Sequence, residues 1–227
     1  MESAQGHPFA AMACADSPFS VLDRTQQARL LQSCQRRRFK RGEVVFQAGD
    51  PGDALHLVVR GRFVVRSRSL TNSELVFAIV GSGFTFGELA VVGPLTERTA
   101  TVAAMEPSET LEWRRAEVDR IRGESPMFDR LLVRLLAAQV HDLSNRLVEL
   151  ASTTVRTRVY RQLCALQGDA KDGGWIRIRQ SDLAGLAVTS RPTVNQVLRA
   201  AVQDGLIELT RGGIRVLDSE VVRRRSF

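Results

Sequence analysis

The stretch Phe84-Thr85-Phe86-Gly87-Glu88-Leu89-Ala90, taken with Glu97-Arg98-Thr99-Ala100-Thr101-Val102, decides how the rest of the chain is read. Its residue types suit a small anion that also carries hydroxyls. Gly87 lets a backbone approach closely and leaves its N–H uncovered, and Glu88 can accept hydrogen bonds from hydroxyls. Arg98 can fork two donors onto one phosphate, and Thr99 adds a hydroxyl beside that fork. Between the arms, Val91 to Thr96 contains Gly93-Pro94 and is too turn-prone for a strand. It predicts a loop or one helical turn whose amides supply further donors. A plainer reading pairs Glu88 with Arg98 and leaves the glycines as ordinary turn residues; these residues alone do not decide between the two.

Around this segment, from Arg38 to Leu111, hydrophobicity has period two, as in Glu43-Val44-Val45-Phe46, Leu55-His56-Leu57-Val58-Val59, Arg62-Phe63-Val64-Val65 and Leu75-Val76-Phe77-Ala78-Ile79. Turn signals recur at Gly49 to Asp53, Arg60-Gly61-Arg62, Leu70 to Ser73 and Gly81-Ser82-Gly83. Short strands at such spacing predict an antiparallel barrel or roll that cradles the segment. Gly49, Gly52 and Gly61 are read as fold-makers, not ligand contacts. Upstream, Val21 to Cys34 has helical spacing after Ser17-Pro18 as a start signal, whereas Met1 to Ser17 has no period and is expected to be a loosely held arm.

Downstream, Glu124 to Ala151 predicts one long helix, with Val133, Leu136, Val140, Leu143, Leu147 and Leu150 spaced three and four apart. Such a seam fits a parallel helix pair between two subunits, or a core helix packed inside one. Beyond it the spacing predicts a helix over Val155–Leu166, a loop over Gly168–Gly174 and a strand over Trp175–Arg179. A short helix Gln180–Ala187 and a tight turn at Val188-Thr189 follow. Ser190 then caps a second helix, Arg191–Asp204, whose first turn tolerates Pro192. Leu206–Thr210 and Gly213–Leu217 flank Arg211-Gly212 as a hairpin. A helix-turn-helix followed by a hairpin is a winged helix, whose second helix enters the DNA major groove.

Charge supports that reading. The 227 residues carry a formal +7, and residues 152–227 alone hold 13 Lys or Arg against 7 Asp or Glu. A polyanion partner is therefore expected for the C-terminal part. With 44% hydrophobic and 25% charged residues, the chain is long enough to bury a proper core. Cys14, Cys34 and Cys164 fit neither a disulfide framework nor a metal or cluster site, and suggest a reducing cytoplasm. His7, His56 and His141 are too scattered for a metal site, so no metal, haem or iron–sulfur cluster is expected. No run approaches a membrane span, and Phe9 to Ala15 lacks the basic flank of a signal peptide. No nucleophile, base and orienting group recur together, which argues against an enzyme.

The first segment resembles the phosphate-binding cassette of the cyclic-nucleotide-binding domain, in which a Gly-Glu-Leu-Ala run is followed, eleven residues after its Gly, by Arg, Ser or Thr, and Ala. Gly87, Glu88, Leu89, Ala90, Arg98, Thr99 and Ala100 match in identity and spacing. The resemblance implies that Glu88 holds a ribose hydroxyl and that Arg98 and Thr99 hold a cyclic phosphate. It extends from about Phe19 to Leu217 and is with the cyclic AMP receptor protein/fumarate-nitrate regulator (Crp/Fnr) superfamily, whose long helix is the dimer interface and closes over the adenine. In the best-known cyclic-AMP-responsive pattern that helix carries adjacent Thr and Ser, or Thr and Asn; here the pair is Leu143-Ser144. Losing one hydroxyl leaves three consequences open: weaker adenine binding by roughly 1 kcal/mol, a shift towards cyclic GMP, or decoupling from DNA.

Ser190-Arg191-Pro192-Thr193-Val194 resembles the family's Ser-Arg-Glu-Thr-Val recognition start. Arg191 is then expected on guanine, Ser190 and Thr193 on phosphates, and Gln180 beside them at the start of the first helix. Pro192 replaces a cytosine-reading Glu, and Gln196 replaces a second Arg, so the operator need not be the usual half-site; Gln196 favours an adenine. The expectation is thus an α+β chain: an arm over 1–17, an antiparallel β-roll over 18–123, a dimerisation helix over 124–151 and a winged helix-turn-helix over 152–227. It predicts a cytoplasmic homodimer that binds palindromic double-stranded DNA under cyclic AMP control, with RNA polymerase as a further partner and no membrane association. Two rivals stay open, a constitutive DNA-binding protein and a sensor of another effector.

Overall fold

The computed structural model describes residue 12 and residues 18–68, 74–168, 174–210 and 213–224. The turn expected at Leu70 to Ser73, the wing tip Arg211-Gly212, most of the loop before Gly174 and the N-terminal arm apart from Met12 lie outside them. The chain divides into two compact units, Met1–Ser67 with Ala78–Asp142, and Arg68–Phe77 with Leu143–Phe227.

The first unit is built on two sheets whose described ladders are antiparallel, as the period of two predicts. One orders β1 (Gln35–Phe39), β8 (Ser108–Arg114), β3 (Ala54–Arg60) and β6 (Thr85–Phe86); the other orders β2 (Val44–Phe46), β7 (Thr101–Ala104), β4 (Phe63–Arg68) and β5 (Glu74–Val80), of which Glu74–Phe77 are counted with the second unit. Strand β3 is buried on both faces, every residue but Arg60. Its alternation divides it between two cores. Leu55, Leu57 and Val59 join Leu111 and Trp113 in one, while Val58 joins Phe39, Phe63, Phe86 and Val102 in the other. Each fully buried aliphatic side chain there contributes about 1.5–3 kcal/mol.

Strand β1 was not evident from the sequence, because its strand-formers are three arginines. Arg37 donates to Glu112 at 3.0 Å, and Arg36 and Arg38 flank Glu109, both carboxylates standing on the neighbouring β8. The basic run is thus matched across the ladder.

Helix α1 (Arg24–Gln32) starts later than Ser17-Pro18 suggests. Pro18–Val21 forms a 3-10 turn, and Asp23 is the cap: it accepts from the Gln26 amide at 2.8 Å while the Gln26 side chain accepts from the Asp23 amide at 3.0 Å. The short turn inside the cassette is α2 (Leu89–Val92). The helix expected over 124–151 is preceded by an unanticipated one, α3 (Arg115–Glu124), of whose residues only Val118 and Ile121 are buried. Ser125 is extended and breaks the two apart, and Pro126 opens α4 (Pro126–Ser152) with its fixed φ in the first turn.

Helix α4 divides into a part packed in the core of its own chain and a seam of exposed apolar residues. Phe128, Leu131, Leu132 and Leu135 are buried in the core with Trp113. Farther along, Val140, Leu143 and Leu147 are 63%, 56% and 67% exposed, and Val133 is 65% exposed on the same seam.

The second unit holds α5 (Val155–Gly168), β9 (Trp175–Ile176), α6 (Gln180–Leu186), α7 (Arg191–Gln203), β10 (Ile207–Thr210), β11 (Gly213–Val216) and α8 (Ser219–Arg224). Its three strands run in the order β10-β11-β9. The strand expected to reach Arg179 stops at Ile176, since β11 offers it only Ile214 and Arg215. The alternation nonetheless persists, with Ile176 and Ile178 buried and Arg177 and Arg179 exposed.

Candidate functional site

In the first unit, the loop Gly49–Asp53 is laced to the segment before β7. The Gly52 amide donates to the Thr96 carbonyl at 2.7 Å, Arg98 N–H to the Asp50 carbonyl at 2.8 Å, and Gly49 N–H to the Arg98 carbonyl at 2.9 Å. Gly52 does more than turn the chain: a Cβ there would lie 2.1 Å from Cβ of Ala90, so only glycine lets α2 pack this close. Arg115, at the start of α3, donates to the carbonyls of Gly52, Ala90 and Val91 and thereby ties α2 down. Nothing in its position marks that role in the sequence.

Arg98 is 4% exposed and held from several sides. Its Nη1 donates to the carbonyls of Ala54 at 2.7 Å and Gly87 at 3.1 Å, its Nη2 lies 3.4 Å from Asp53, and its Cζ sits 4.0 Å over the Phe46 ring. Gly87 has φ of 88°, and a Cβ on it would lie 2.7 Å from Nη1 of Arg98. That position therefore requires glycine on both conformational and steric grounds. Burial draws the Arg98 guanidinium below its ordinary pKa, and Asp53, Glu112, Glu88 and Asp50 oppose the shift. It remains charged.

Glu88 is likewise 4% exposed, yet it does not pair with Arg98. The Glu88–Arg98 pair of the plainer reading does not form. One carboxylate oxygen, Oε1, accepts from the side-chain amide of Gln139 on α4. The other, Oε2, is buried with no hydrogen-bond partner, and so is Nε of Arg98. A buried acceptor and a buried donor of opposite charge are thus both available to a further partner. Thr99 is exposed beside Arg98, Leu89 is 42% exposed and Ala90 is buried. Gly87, Glu88, Leu89, Ala90, Arg98 and Thr99 therefore come together in the first unit. Ser144 lies on α4 beyond Asp142, exposed, in the second.

Sequence reasoning missed Asp53 and Gln139, which tertiary structure alone brings to Arg98 and Glu88. Under Arg98 lies His56, buried, stacked on Phe86 at 4.9 Å and 3.2 Å from the Thr110 hydroxyl through Nδ1. Burial first, then the charges of Arg98 and Arg37, lower its pKa to about 3. It is a neutral packing residue.

In the second unit, Ser190 caps α7: its Oγ accepts from the Thr193 amide at 3.3 Å and lies 2.8 Å from the Thr193 hydroxyl. Val194, Val197, Leu198 and Ala201 turn one face of α7 into the core. Arg191, Pro192, Gln196 and Arg199 stand exposed on the remainder, and Gln180 opens α6 half-buried. Between the helices Val188 takes φ of 48°, a left-handed conformation unusual for a β-branched residue. Arg158 of α5 holds this turn, donating through Nε to the Ala187 carbonyl at 2.8 Å and through Nη1 to the Thr153 carbonyl at 2.9 Å. These bonds hold the turn that leads into the N-terminus of α7. Among the described residues no group of three metal-ligating side chains occurs, and no helix is long and apolar enough to cross a membrane.

A family model described as a cyclic nucleotide-binding domain matches residues 36–125, and one described as a Crp-like helix-turn-helix domain matches residues 157–225. The chain is 32% identical to the cyclic AMP receptor protein of Thermus thermophilus over 193 residues, covering 85% of this chain and 88% of that protein. It is 29% identical to a CRP-like cAMP-activated global transcriptional regulator of Mycobacterium tuberculosis over 214 residues, covering 92% and 95%. Among solved structures, the c-di-GMP responsive global regulator CLP of Xanthomonas campestris superposes with a TM-score of 0.76 at 23% identity, over 86% of this chain and 100% of that one.

Proposed function

The chain belongs to the Crp/Fnr family of DNA-binding transcription regulators, and from that premise we propose that it is a cytoplasmic homodimer whose grip on a palindromic operator is set by a cyclic nucleotide, cyclic AMP foremost. The observation that carries the nucleotide part is the buried, mutually unpaired couple Glu88 and Arg98, each with one side-chain atom left unmatched. A ribose hydroxyl satisfies Oε2 of Glu88. The cyclic phosphate takes Nε of Arg98 and the Thr99 hydroxyl, with the backbone of Gly87, Leu89 and Ala90 framing it.

The exposed seam Val133, Val140, Leu143 and Leu147 supports a second copy of the chain packed along α4. In that dimer Ser144 is the base contact of the long helix, and ligand binding favours the α4 geometry that sets two α7 helices one DNA turn apart. There Arg191 reads guanine, Gln196 reads adenine, and Ser190, Thr193 and Gln180 contact the backbone. RNA polymerase is the onward partner of such a regulator.

Leu143 supports a second reading, in which DNA binding ignores the nucleotide, because an apolar side chain offers the base no hydrogen bond. The relative described as responsive to c-di-GMP adds a second ligand to test. Calorimetric titration with cyclic AMP, cyclic GMP and cyclic di-GMP, repeated with palindromic DNA present, separates these. Selective binding of cyclic AMP that tightens with DNA supports the allosteric regulator, by reciprocity of the coupling. Binding indifferent to DNA leaves the constitutive reading.

A further inference from the structure

Helix α2 is a single turn, Leu89–Val92, and nucleating a turn fixes more dihedrals than its few bonds offset. Its backbone bonds run from the amides of Val91 and Val92 to the Glu88 carbonyl, at 3.0 and 2.8 Å, and from Gly93 to the Leu89 carbonyl at 3.2 Å. A turn so short depends on outside support. Its last carbonyls, Ala90 and Val91, accept from the guanidinium of Arg115, Val91 at 3.4 Å. The same guanidinium reaches the carbonyls of Gly52 at 3.1 Å and Leu95 at 3.4 Å, while the Arg115 amide donates to the Asp53 carbonyl at 2.6 Å. At the other end of the turn Arg98 donates to the Gly87 carbonyl. Arg98 keeps a buried donor for a further partner, whereas Arg115 turns its fork onto four backbone carbonyls.

We propose that Arg115 is a positioning residue of the nucleotide site: it holds the cassette turn in its binding form before a ligand arrives, so that the nucleotide meets Gly87, Glu88 and Ala90 already in place. The inference rests on the cyclic-nucleotide reading of the cassette. A guanidinium suits the task because its donors form a rigid planar fork that serves several carbonyls at once, whereas a lysine ammonium is a point charge on a flexible stem. Without Arg115 the turn opens in the free chain, and apparent affinity falls in proportion to the fraction of chains in which it stays formed.

The test combines amide hydrogen exchange with cyclic AMP calorimetry on the full chain, on Arg115→Met and on Arg115→Lys. In the unchanged chain without nucleotide, the amides of Val91, Val92 and Gly93 are expected to be protected. Arg115→Met, which keeps an apolar stem and no donor, is expected to lose that protection while β3 and β8 keep theirs, and saturating cyclic AMP is expected to restore it. Cyclic AMP affinity should fall at least about tenfold, the range of a hydrogen bond to a charged group. Arg115→Lys, which keeps the charge without the fork, should fall between the two, and it decides by the same readings if the methionine variant does not melt cooperatively. Protection that survives the substitution, or affinity that stays within about threefold once protection is lost, overturns the role of Arg115 and leaves the cassette reading standing. An unchanged chain that binds neither cyclic AMP nor cyclic GMP overturns the cyclic-nucleotide reading and the proposal with it.

Discussion

Nη2 of Arg98 lies 3.4 Å from Oδ1 of Asp53, a side chain that is 73% exposed, while the guanidinium itself is almost wholly buried. An exposed carboxylate on the edge of a buried cation would compete with, and repel, the phosphate of the proposed ligand. Asp53→Asn is therefore expected to raise cyclic AMP affinity by up to about fivefold at low salt, the equivalent of an exposed pair's ~0.2–1 kcal/mol. The gain should shrink at high ionic strength. Titration calorimetry at two salt concentrations measures it; a loss of affinity would mean that Asp53 steadies Arg98 for binding instead of competing with the phosphate.

Arg98→Ala should abolish nucleotide binding and also weaken the fold. Nη1 holds the carbonyls of Ala54 and Gly87, and truncation leaves both without that donor. Each such loss costs about 1–3 kcal/mol, so the first unit is expected to lose about 2–6 kcal/mol in a denaturant titration. Unchanged stability would show that water replaces the guanidinium without penalty.

His56 gives a pH dependence whose sign is fixed by its burial. The unfolded chain protonates this histidine near pH 6.5, whereas the folded one resists to about 3. Stability is therefore fully present above about pH 6.5 and falls as the pH drops towards 3, by up to ~1.4 kcal/mol per unit. His56→Gln, which keeps a partner for Thr110, should flatten the slope between about pH 6.5 and 5, before carboxylates dominate. Melting curves over that window decide it, and an unaltered slope assigns the dependence to other groups.

The cassette and the recognition helix were legible in the sequence because each is a local pattern. Gly87 to Ala100 matches by identity and spacing, and α7 declares itself through the Ser190 cap and the buried positions Val194, Val197, Leu198 and Ala201. Strands β2 to β5 followed from period alone. What stayed hidden depends on partners distant in the chain. The arginines of β1 make sense only beside Glu109 and Glu112, with Arg37 and Glu112 standing 75 positions apart. Gln139 reaches Glu88 across 51 positions, and Arg158 reaches Ala187 across 29. Helix α3 was missed because two buried side chains, Val118 and Ile121, give too narrow an apolar stripe among its charges.

The seam of α4 predicts an assembly defect that leaves each chain folded. Val140 and Leu147 are 63% and 67% exposed and contribute little to the core of their own chain. Val140→Glu with Leu147→Glu introduces four like charges into a two-helix contact, since each substitution appears twice. Sedimentation should report a monomer at micromolar concentration, with the helical content of each chain retained and affinity for a palindromic operator reduced far more than affinity for a half-site. A dimer that survives both substitutions would place the subunit contact elsewhere.

Arg191 separates specific from general binding. It opens α7 exposed, adjacent to the Ser190 cap and clear of the buried face, so truncation does not disturb the fold. A bidentate contact to guanine is worth about 1–3 kcal/mol of discrimination, whereas a phosphate contact weakens all sequences alike and lowers the salt slope by about one. Arg191→Ala is therefore expected to lose roughly 5- to 150-fold affinity on the operator and little on random DNA, with the salt dependence preserved. Fluorescence anisotropy on both DNAs across a salt series measures the three quantities together. An equal loss on both, with a shallower slope, would make Arg191 a backbone contact and leave base readout to Gln196 and the rest of the exposed face of α7.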